Sequence, residues 1–207
     1  MKSLSLILCG NALLLAGALA PGAPDVAMRA MVDGFRHIVP EGLDHIAFLL
    51  GLFLLARSFH SLLWQVTWFT VAHSLTFGLA MFGLVDAPSR LVEVAVALSI
   101  AIVAIENLAG RRLEKWRPAW VSAFGLIHGL AFAHTLQEQP TSADETIPRL
   151  FGFNLGIELG QLVVVGTAAL LVREWWQREW YRRRIALPGS VALALAGLAW
   201  AVGRATA

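Results

Sequence analysis

Carboxylate and imidazole side chains interrupt the apolar runs of this chain. The stretch at 41–56, EGLDHIAFLLGLFLLA, opens with Glu41, Asp44 and His45 and then continues without a charge through Ala56. Nitrogen and oxygen ligands of this kind suit Ni²⁺, Co²⁺, Zn²⁺ or Mn²⁺. The stretch therefore indicates metal chemistry at the mouth of a segment with the composition of a membrane helix.

Further polar residues recur at a similar depth in other apolar runs. His73 lies in TWFTVAHSLTF, His128 in FGLIHGLAFAH, and Glu158 in FGFNLGIELGQ. An ionisable side chain at mid-bilayer costs about 2.5 kcal/mol or more and usually faces a partner or a water-filled cavity. Separate packing contacts have no reason to share one depth. The sequence thus predicts one divalent-metal site formed by Asp44, His45, His73, His128 and Glu158; no catalytic residue is assigned.

Eight other polar residues are predicted to support this site or to continue it. On a continuous helix, His37 and Glu41 would share a face with Asp44 and His45, although Pro40 can kink such a helix. The supporting set is His37, Glu41, Ser74, Glu93, Asn154 and Gln161. Glu106 and Asn107 lie nearer the opposite membrane face and are the predicted inner path for an ion.

The composition is that of a polytopic membrane protein. Of 207 residues, 57% are hydrophobic and 14% are charged, a balance unlike that of a soluble domain. Because a span needs about 20 apolar residues, the runs predict an all-α transmembrane helix bundle of six or seven spans. These runs are 3–20, 43–57, 61–84, 91–109, 119–136, 150–172 and 187–203. The last run carries no inward polar group and is expected only to pack.

The distribution of positive charge predicts the orientation. With the N-terminus in the cytoplasm, most of the 16 Lys and Arg residues fall on the cytoplasmic side, in agreement with the positive-inside rule. We expect residues 1–20 to be a signal peptide or a first transmembrane helix. We expect 21–41 to be an amphipathic segment on the external surface, and 42–207 to be a six-helix transmembrane bundle.

Cysteine usage narrows the possible cofactors. Cys9 is the single cysteine, which excludes an intramolecular disulfide and a CxxCH haem attachment. His73 and His128 on separate helices could in principle ligate a b-type haem. Haem-binding membrane proteins usually contain more paired histidines than this sequence does, so no haem is expected. The predicted partners are the lipid bilayer and a divalent metal ion (Ni²⁺, Co²⁺ or Zn²⁺), without nucleic acid; the oligomeric state stays open.

Five ordered motifs resemble those of the HupE/UreJ family of bacterial membrane proteins, in particular its second branch. They are EGLDHIAFLLGLFL, FTVAHSLTFGLA, VEVAVALSIAIVAIENL, FGLIHGLAFA and FNLGIELGQL. The founding branch has an HPxxGxDH motif, similar to Pro40–His45 here, and an FHG motif, similar to Ile127–Gly129. This chain departs from those motifs by a non-adjacent histidine, by Glu41 inside the first motif and by Ile127 in place of Phe. The resemblance implies a nickel or cobalt permease of the bacterial inner (plasma) membrane.

Three functions fit the residues. In a permease, Asp44 and His45 capture a cation outside, the deeper ligands bind it at mid-membrane, and it leaves past Glu106. In a hydrolase, the same ligands hold a zinc ion whose water attacks a lipid or membrane amide, assisted by Ser74 or Glu41. In an assembly protein, the metal only stabilises the bundle.

Overall fold

The structure is a computed structural model that describes residues 22–56, 58–110, 116–137 and 143–207. These residues form helices and no strands, which confirms the predicted all-α class. The helices are α1 (Ala23–Ile38), α2 (Leu43–Leu55), α3 (Phe59–Met81), α4 (Ser89–Ala109), α5 (Arg117–Gln137), α6 (Ala143–Val172) and α7 (Glu179–Thr206). Helix α7 contains a π-helical turn at Arg182–Ala186. The alternatives for residues 1–20 lie outside the described residues.

Several helices have the length and composition of membrane spans. Among the described residues, α4, α6 from Glu145 onward and α7 qualify, and α1 with α2 would form a fourth span if the bent pair is counted as one. Helices α3 and α5, with 23 and 21 residues, are also of spanning length. They are less apolar because they carry polar residues such as Gln65, His73 and His128. The architecture is that of a polytopic membrane bundle.

Neighbouring helices pack through small residues. Gly125 and Gly129 of α5 face α3, and a Cβ atom on Gly129 would overlap the carbonyl oxygen of His73. This close approach, expected from the spacing of the two glycines, brings His128 beside α3. Helices α4 and α7 run antiparallel: Asn107 donates a hydrogen bond to Ser190 near one end of the pair.

Helix α1 packs lengthwise on α6. The glycines at 152, 156 and 160 of α6 face α1, and Cβ atoms on Gly152 and Gly156 would overlap the carbonyl oxygens of Ala27 and Met31. The sequence predicted an amphipathic segment lying on the membrane surface. The segment is helical, but its small-residue face is buried against another helix, because the glycines of α6 leave room for the backbone of α1.

A bend of 66° separates α1 from α2. Val39 is extended, as expected before Pro40, so α1 ends at Ile38. The chain then folds back so closely that a Cβ atom on Gly42 would overlap the carbonyl oxygen of His37. Only glycine fits this position without displacing the backbone. The bend places the last turn of α1 beside the first turn of α2.

Two apolar clusters enclose the centre of the bundle. The larger contains Phe48, Phe53 and Phe69 and extends toward the end of the bundle at which α2 ends. The smaller contains Phe77 and Phe153 and lies between α3, α1 and α6. Phe69 contacts the ring of His45, and Phe77 stacks on that of His73. The polar residues of the candidate site therefore lie between two layers of aromatic side chains.

Candidate metal centre

Three imidazoles from three helices meet at the bend. His37, His45 and His73 each offer a ring nitrogen, and these nitrogens all lie within 4.8 Å of one another. The ring centroids of His37 and His45 are 4.7 Å apart, and those of His45 and His73 are 5.7 Å apart. His73 is fully buried and His45 is 6% exposed. His37, predicted only as a supporting residue, is thus one of the three histidines brought together.

A fourth imidazole lies against this group. The ring centroid of His128 is 4.8 Å from that of His45, and the side chain is fully buried. Ser99 Oγ lies 3.0 Å from His128 Nε2 and donates its hydrogen to the carbonyl oxygen of Val96 at 2.7 Å. Since a hydroxyl has one hydrogen, Ser99 accepts from Nε2–H, and Nδ1 of His128 carries the lone pair.

Four ring nitrogens of His45, His73 and His128 have no hydrogen-bond partner among the described residues. Within the described residues, no partner is found for His45 Nε2, for either ring nitrogen of His73 or for His128 Nδ1, and all are shielded from solvent. A buried polar atom without a partner costs about 1–3 kcal/mol. A cation held between the rings would satisfy the lone pairs that neutral imidazoles direct inward.

The donor set suits a divalent transition metal rather than Mg²⁺ or Ca²⁺, which prefer oxygen ligands. Two imidazole nitrogens bound to one ion at about 2.0–2.1 Å can be at most about 4.2 Å apart. The nitrogens of His37, His45 and His73 spread over up to 4.8 Å. Binding therefore requires the rings to approach one another slightly.

An acid-lined cavity of about 230 Å³ leads to the histidines. It opens at the end of the bundle where α4 begins and α7 ends, and Glu41, Asp44 and Glu93 line it together with Arg204. His37, His45 and His128 form its inner wall. Carboxylates in a cleft raise the local concentration of cations. The supporting residues Glu41 and Glu93 thus lie on the approach to the histidines.

Asp44, a predicted metal ligand, is paired with an arginine. Arg204 Nη2 donates to both carboxylate oxygens of Asp44, at 3.0 and 2.8 Å. The sequence offered no signal for this contact, because Arg204 follows the last apolar run, which was expected only to pack. That helix instead brings the positively charged guanidinium of Arg204 to the mouth of the cavity.

Aromatic side chains close the other end of the site. The ring of Phe48 is 5.2 Å from that of His128, 5.0 Å from Phe69 and 5.8 Å from Phe124. Phe48 and Phe69 are fully buried. We call Phe48, Phe69 and Phe124 the aromatic floor, since they separate the histidines from the end of the bundle at which α2 ends.

Glu158, the other predicted carboxylate ligand, lies on the exposed surface of α6. Gly156, Ile157 and Gly160 are buried on the same helix. Residue 158 falls about 100° further round the helix than Ile157. The structure does not bring Glu158 to the histidines, because packing on α1 fixes the rotation of α6.

Three predicted supporting residues hold α3 against α6. Ser74 Oγ contacts Asn154 Oδ1 at 2.5 Å, and Thr70 donates to Gln161 Oε1 at 2.7 Å. Asn154 in turn donates to the carbonyl oxygen of Leu150. These are hydrogen bonds between helices of the kind that stabilise membrane bundles.

The predicted inner path is occupied by interhelical contacts. Arg117 donates to Glu106 at 3.2 Å, and both side chains are largely buried. Asn107 donates to Ser190 of α7 at 2.5 Å. Both residues lie beyond the aromatic floor when viewed from the histidines, and each already has a partner on a neighbouring helix.

A family model described as HupE / UreJ protein matches residues 17–204, which is most of the chain. No curated protein and no solved structure matches the chain.

Proposed function

Because the chain belongs to the HupE/UreJ family, which is associated with nickel and cobalt transport, we propose that it is an inner-membrane permease for Ni²⁺ or Co²⁺. One observation carries this proposal. His37, His45 and His73 present ring nitrogens within 4.8 Å of one another, and two of them, His37 and His45, line an acid-lined cavity. Three imidazoles are a donor set suited to a transition metal, and their place inside a membrane bundle supports a functional role.

The gradient of ligand types along the cavity supports selective uptake. Glu41 and Glu93, both exposed, attract cations of any kind toward the mouth. The buried imidazoles then retain ions that prefer nitrogen ligands. A divalent ion that enters the cavity thus meets oxygen ligands first and nitrogen ligands last.

Charge at the ends of α7 supports an external opening. Arg182, Arg183 and Arg184 lie near the start of α7, whereas Arg204 lies at its end beside the cavity. The positive-inside rule assigns the arginine-rich end to the cytoplasm. The aromatic floor then separates the histidines from the cytoplasm and must open for release. The bend between α1 and α2 is the element suited to this movement, since transporters often bind substrate at broken helices.

Nickel uptake into proteoliposomes that contain the purified protein tests the proposal. We expect His45→Ala and His73→Ala each to reduce uptake and bound nickel by about tenfold or more, the scale of losing even an outer-shell partner. His60→Ala is the matched control: His60 lies on the same helix as His73, is exposed, and contacts Trp64. Equal uptake by all three variants and the wild type would refute the proposal.

A zinc-dependent hydrolase acting on a lipid or membrane amide is the second candidate. The one-sided access of the cavity favours it, because a hydrolase needs no path past the aromatic floor. Its metal would activate water, with Glu41 in the cavity available as a base. Stoichiometric metal in the protein without any passage of metal across the membrane would support this candidate over the permease.

A further inference from the structure

Arg204 pairs with Asp44, the cavity carboxylate that directly precedes His45 in the sequence. Its guanidinium reaches both oxygens of Asp44, the neighbour of His45, at 3.0 and 2.8 Å. The two side chains are only about a quarter exposed, at 27% and 25%. A bidentate guanidinium–carboxylate pair in this setting is among the stronger polar contacts in proteins. It also uses the oxygens that a cation would need.

The position of Arg204 is anchored independently of Asp44. A second nitrogen of Arg204 donates to the carbonyl oxygen of Glu93 at 3.1 Å. Arg90 donates to the carbonyl oxygens of Arg204 and Ala205 and so fixes the end of α7 against α4. The guanidinium can therefore leave Asp44 while the helix end stays in place. The side chain of Glu93 lines the same cavity and is exposed, so it offers an alternative partner.

We propose that Arg204 determines the specificity of the cavity by occupying Asp44 until a cation with affinity for imidazole displaces it. The inference rests on the proposed metal-binding function of the histidines. Mg²⁺ and Ca²⁺ would gain mainly the carboxylate by displacing the guanidinium, since they bind imidazole poorly. Ni²⁺ and Co²⁺ gain the imidazoles as well. Displacement of Arg204 costs either kind of cation the same free energy, so the hard cations, which gain no imidazole, do not bind at millimolar concentration, whereas the transition metals still bind.

Metal titration of four purified, detergent-solubilised proteins tests this: the wild type, Arg204→Gln, Asp44→Asn and the double variant. In Arg204→Gln, Asp44 is free, and we expect nickel to bind about tenfold more tightly. We also expect Mg²⁺ at millimolar concentration to compete with nickel in Arg204→Gln but not in the wild type. In the Asp44→Asn background, the Arg204 substitution should change nickel affinity by less than about twofold, because the contact is already lost.

Two further variants separate displacement from a structural role. Arg90→Gln loosens the end of α7 but keeps the guanidinium that pairs with Asp44, so nickel affinity should rise less than in Arg204→Gln. Arg204→Lys keeps the charge but loses the bidentate geometry, so its affinity should lie between those of the wild type and Arg204→Gln. It also replaces Arg204→Gln if that variant does not fold.

The outcomes distinguish this inference from the proposed function. One outcome is that the wild type binds nickel, that Arg204→Gln and Arg204→Lys bind it with equal or lower affinity, and that Mg²⁺ does not compete in either variant. This outcome would overturn the role of Arg204 and leave the histidine site intact. Absence of nickel binding in every protein, His60→Ala included, would overturn both.

Discussion

Ser99 on α4 accepts a hydrogen bond from Nε2–H of His128 on α5, because its own hydrogen is donated to the carbonyl oxygen of Val96. The pair fixes both the tautomer and the orientation of a buried imidazole. Nδ1 of His128 is left with a lone pair and, within the described residues, without a partner. A residue that orients a metal-binding histidine in this way commonly matters nearly as much as the ligand.

Removal of the Ser99 hydroxyl should therefore weaken metal binding. We expect Ser99→Ala to lower nickel affinity about 10- to 100-fold, the range for loss of a partner that orients a ligand. Titration of the purified protein with nickel measures this. Ser74→Ala is the control, since Ser74 contacts Asn154 between α3 and α6. Unchanged affinity in Ser99→Ala would place His128 outside the coordination sphere.

Nickel should stabilise the folded protein through His73. A ligand at a hundred times its Kd adds about 2.7 kcal/mol to the free energy of unfolding. We expect the melting temperature of the wild type to rise with nickel, and that of His73→Ala to stay constant. His60→Ala should respond as the wild type does, because His60 is exposed at the start of α3. A nickel-dependent rise in His73→Ala equal to that of the wild type would contradict the site as described.

The double variant of His73 and His128 tests whether the two act together. If both surround one cation, the losses of metal binding should not add, because either change already breaks the site. If they form separate packing contacts, each alanine variant should cost only about 0.6–2 kcal/mol of unfolding free energy, and the costs should add. Thermal unfolding and bound nickel are measured for the wild type, both single variants and the double variant.

The bend depends on Gly42. A Cβ atom at this position would overlap the carbonyl oxygen of His37, so Gly42→Ala must move α1 relative to α2. We expect a loss of about 2–3 kcal/mol in unfolding free energy together with reduced nickel binding, because His37 and His45 would separate. Gly166→Ala, on α6 with nothing within 4 Å, is the control and should be neutral. Normal nickel binding by Gly42→Ala would show that the bend does not position the histidines.

Glu158 provides a test of exclusion from the site. Because it is exposed on α6, we expect Glu158→Gln to bind nickel with the affinity of the wild type. The comparison variant is His45→Ala, which should lose binding. A tenfold loss in Glu158→Gln would bring this carboxylate into the site and would require a different rotation of α6.

The proposed orientation is tested with reporters placed between helices. A reporter inserted in the loop at 173–178 should be cytoplasmic, and one in the loop at 83–88 should be external. These loops lie at opposite ends of the bundle, because α4 and α7 are antiparallel: the start of α4, which follows the first loop, lies beside the end of α7 and not beside its start. The reverse result at both loops would make the acid-lined cavity face the cytoplasm and would favour metal export.

Much of the fold and part of the site follow from local sequence. Apolar runs of spanning length require helices in a bilayer, because the backbone must satisfy its own hydrogen bonds there. Pro40 and Gly42 mark the break between α1 and α2 through their own backbone constraints. Repeated glycines in α5 and α6 predict close helix packing, and the structure shows it for Gly129 and Gly156. That His45, His73 and His128 share one depth could be inferred from their distance along each run.

The rotation of each helix about its own axis, and so the choice of which side chains meet, was decided only by the tertiary structure. Depth follows from counting residues, but the direction of a side chain depends on how each helix rotates to pack on its neighbours. That rotation turns Glu158 outward on α6 and, together with the bend, turns His37 inward. The pairing of Asp44 with Arg204, 160 residues apart, required α7 to return beside α2. No periodicity within either segment contains that information, because the energy that selects the pair arises only when both helices are in place.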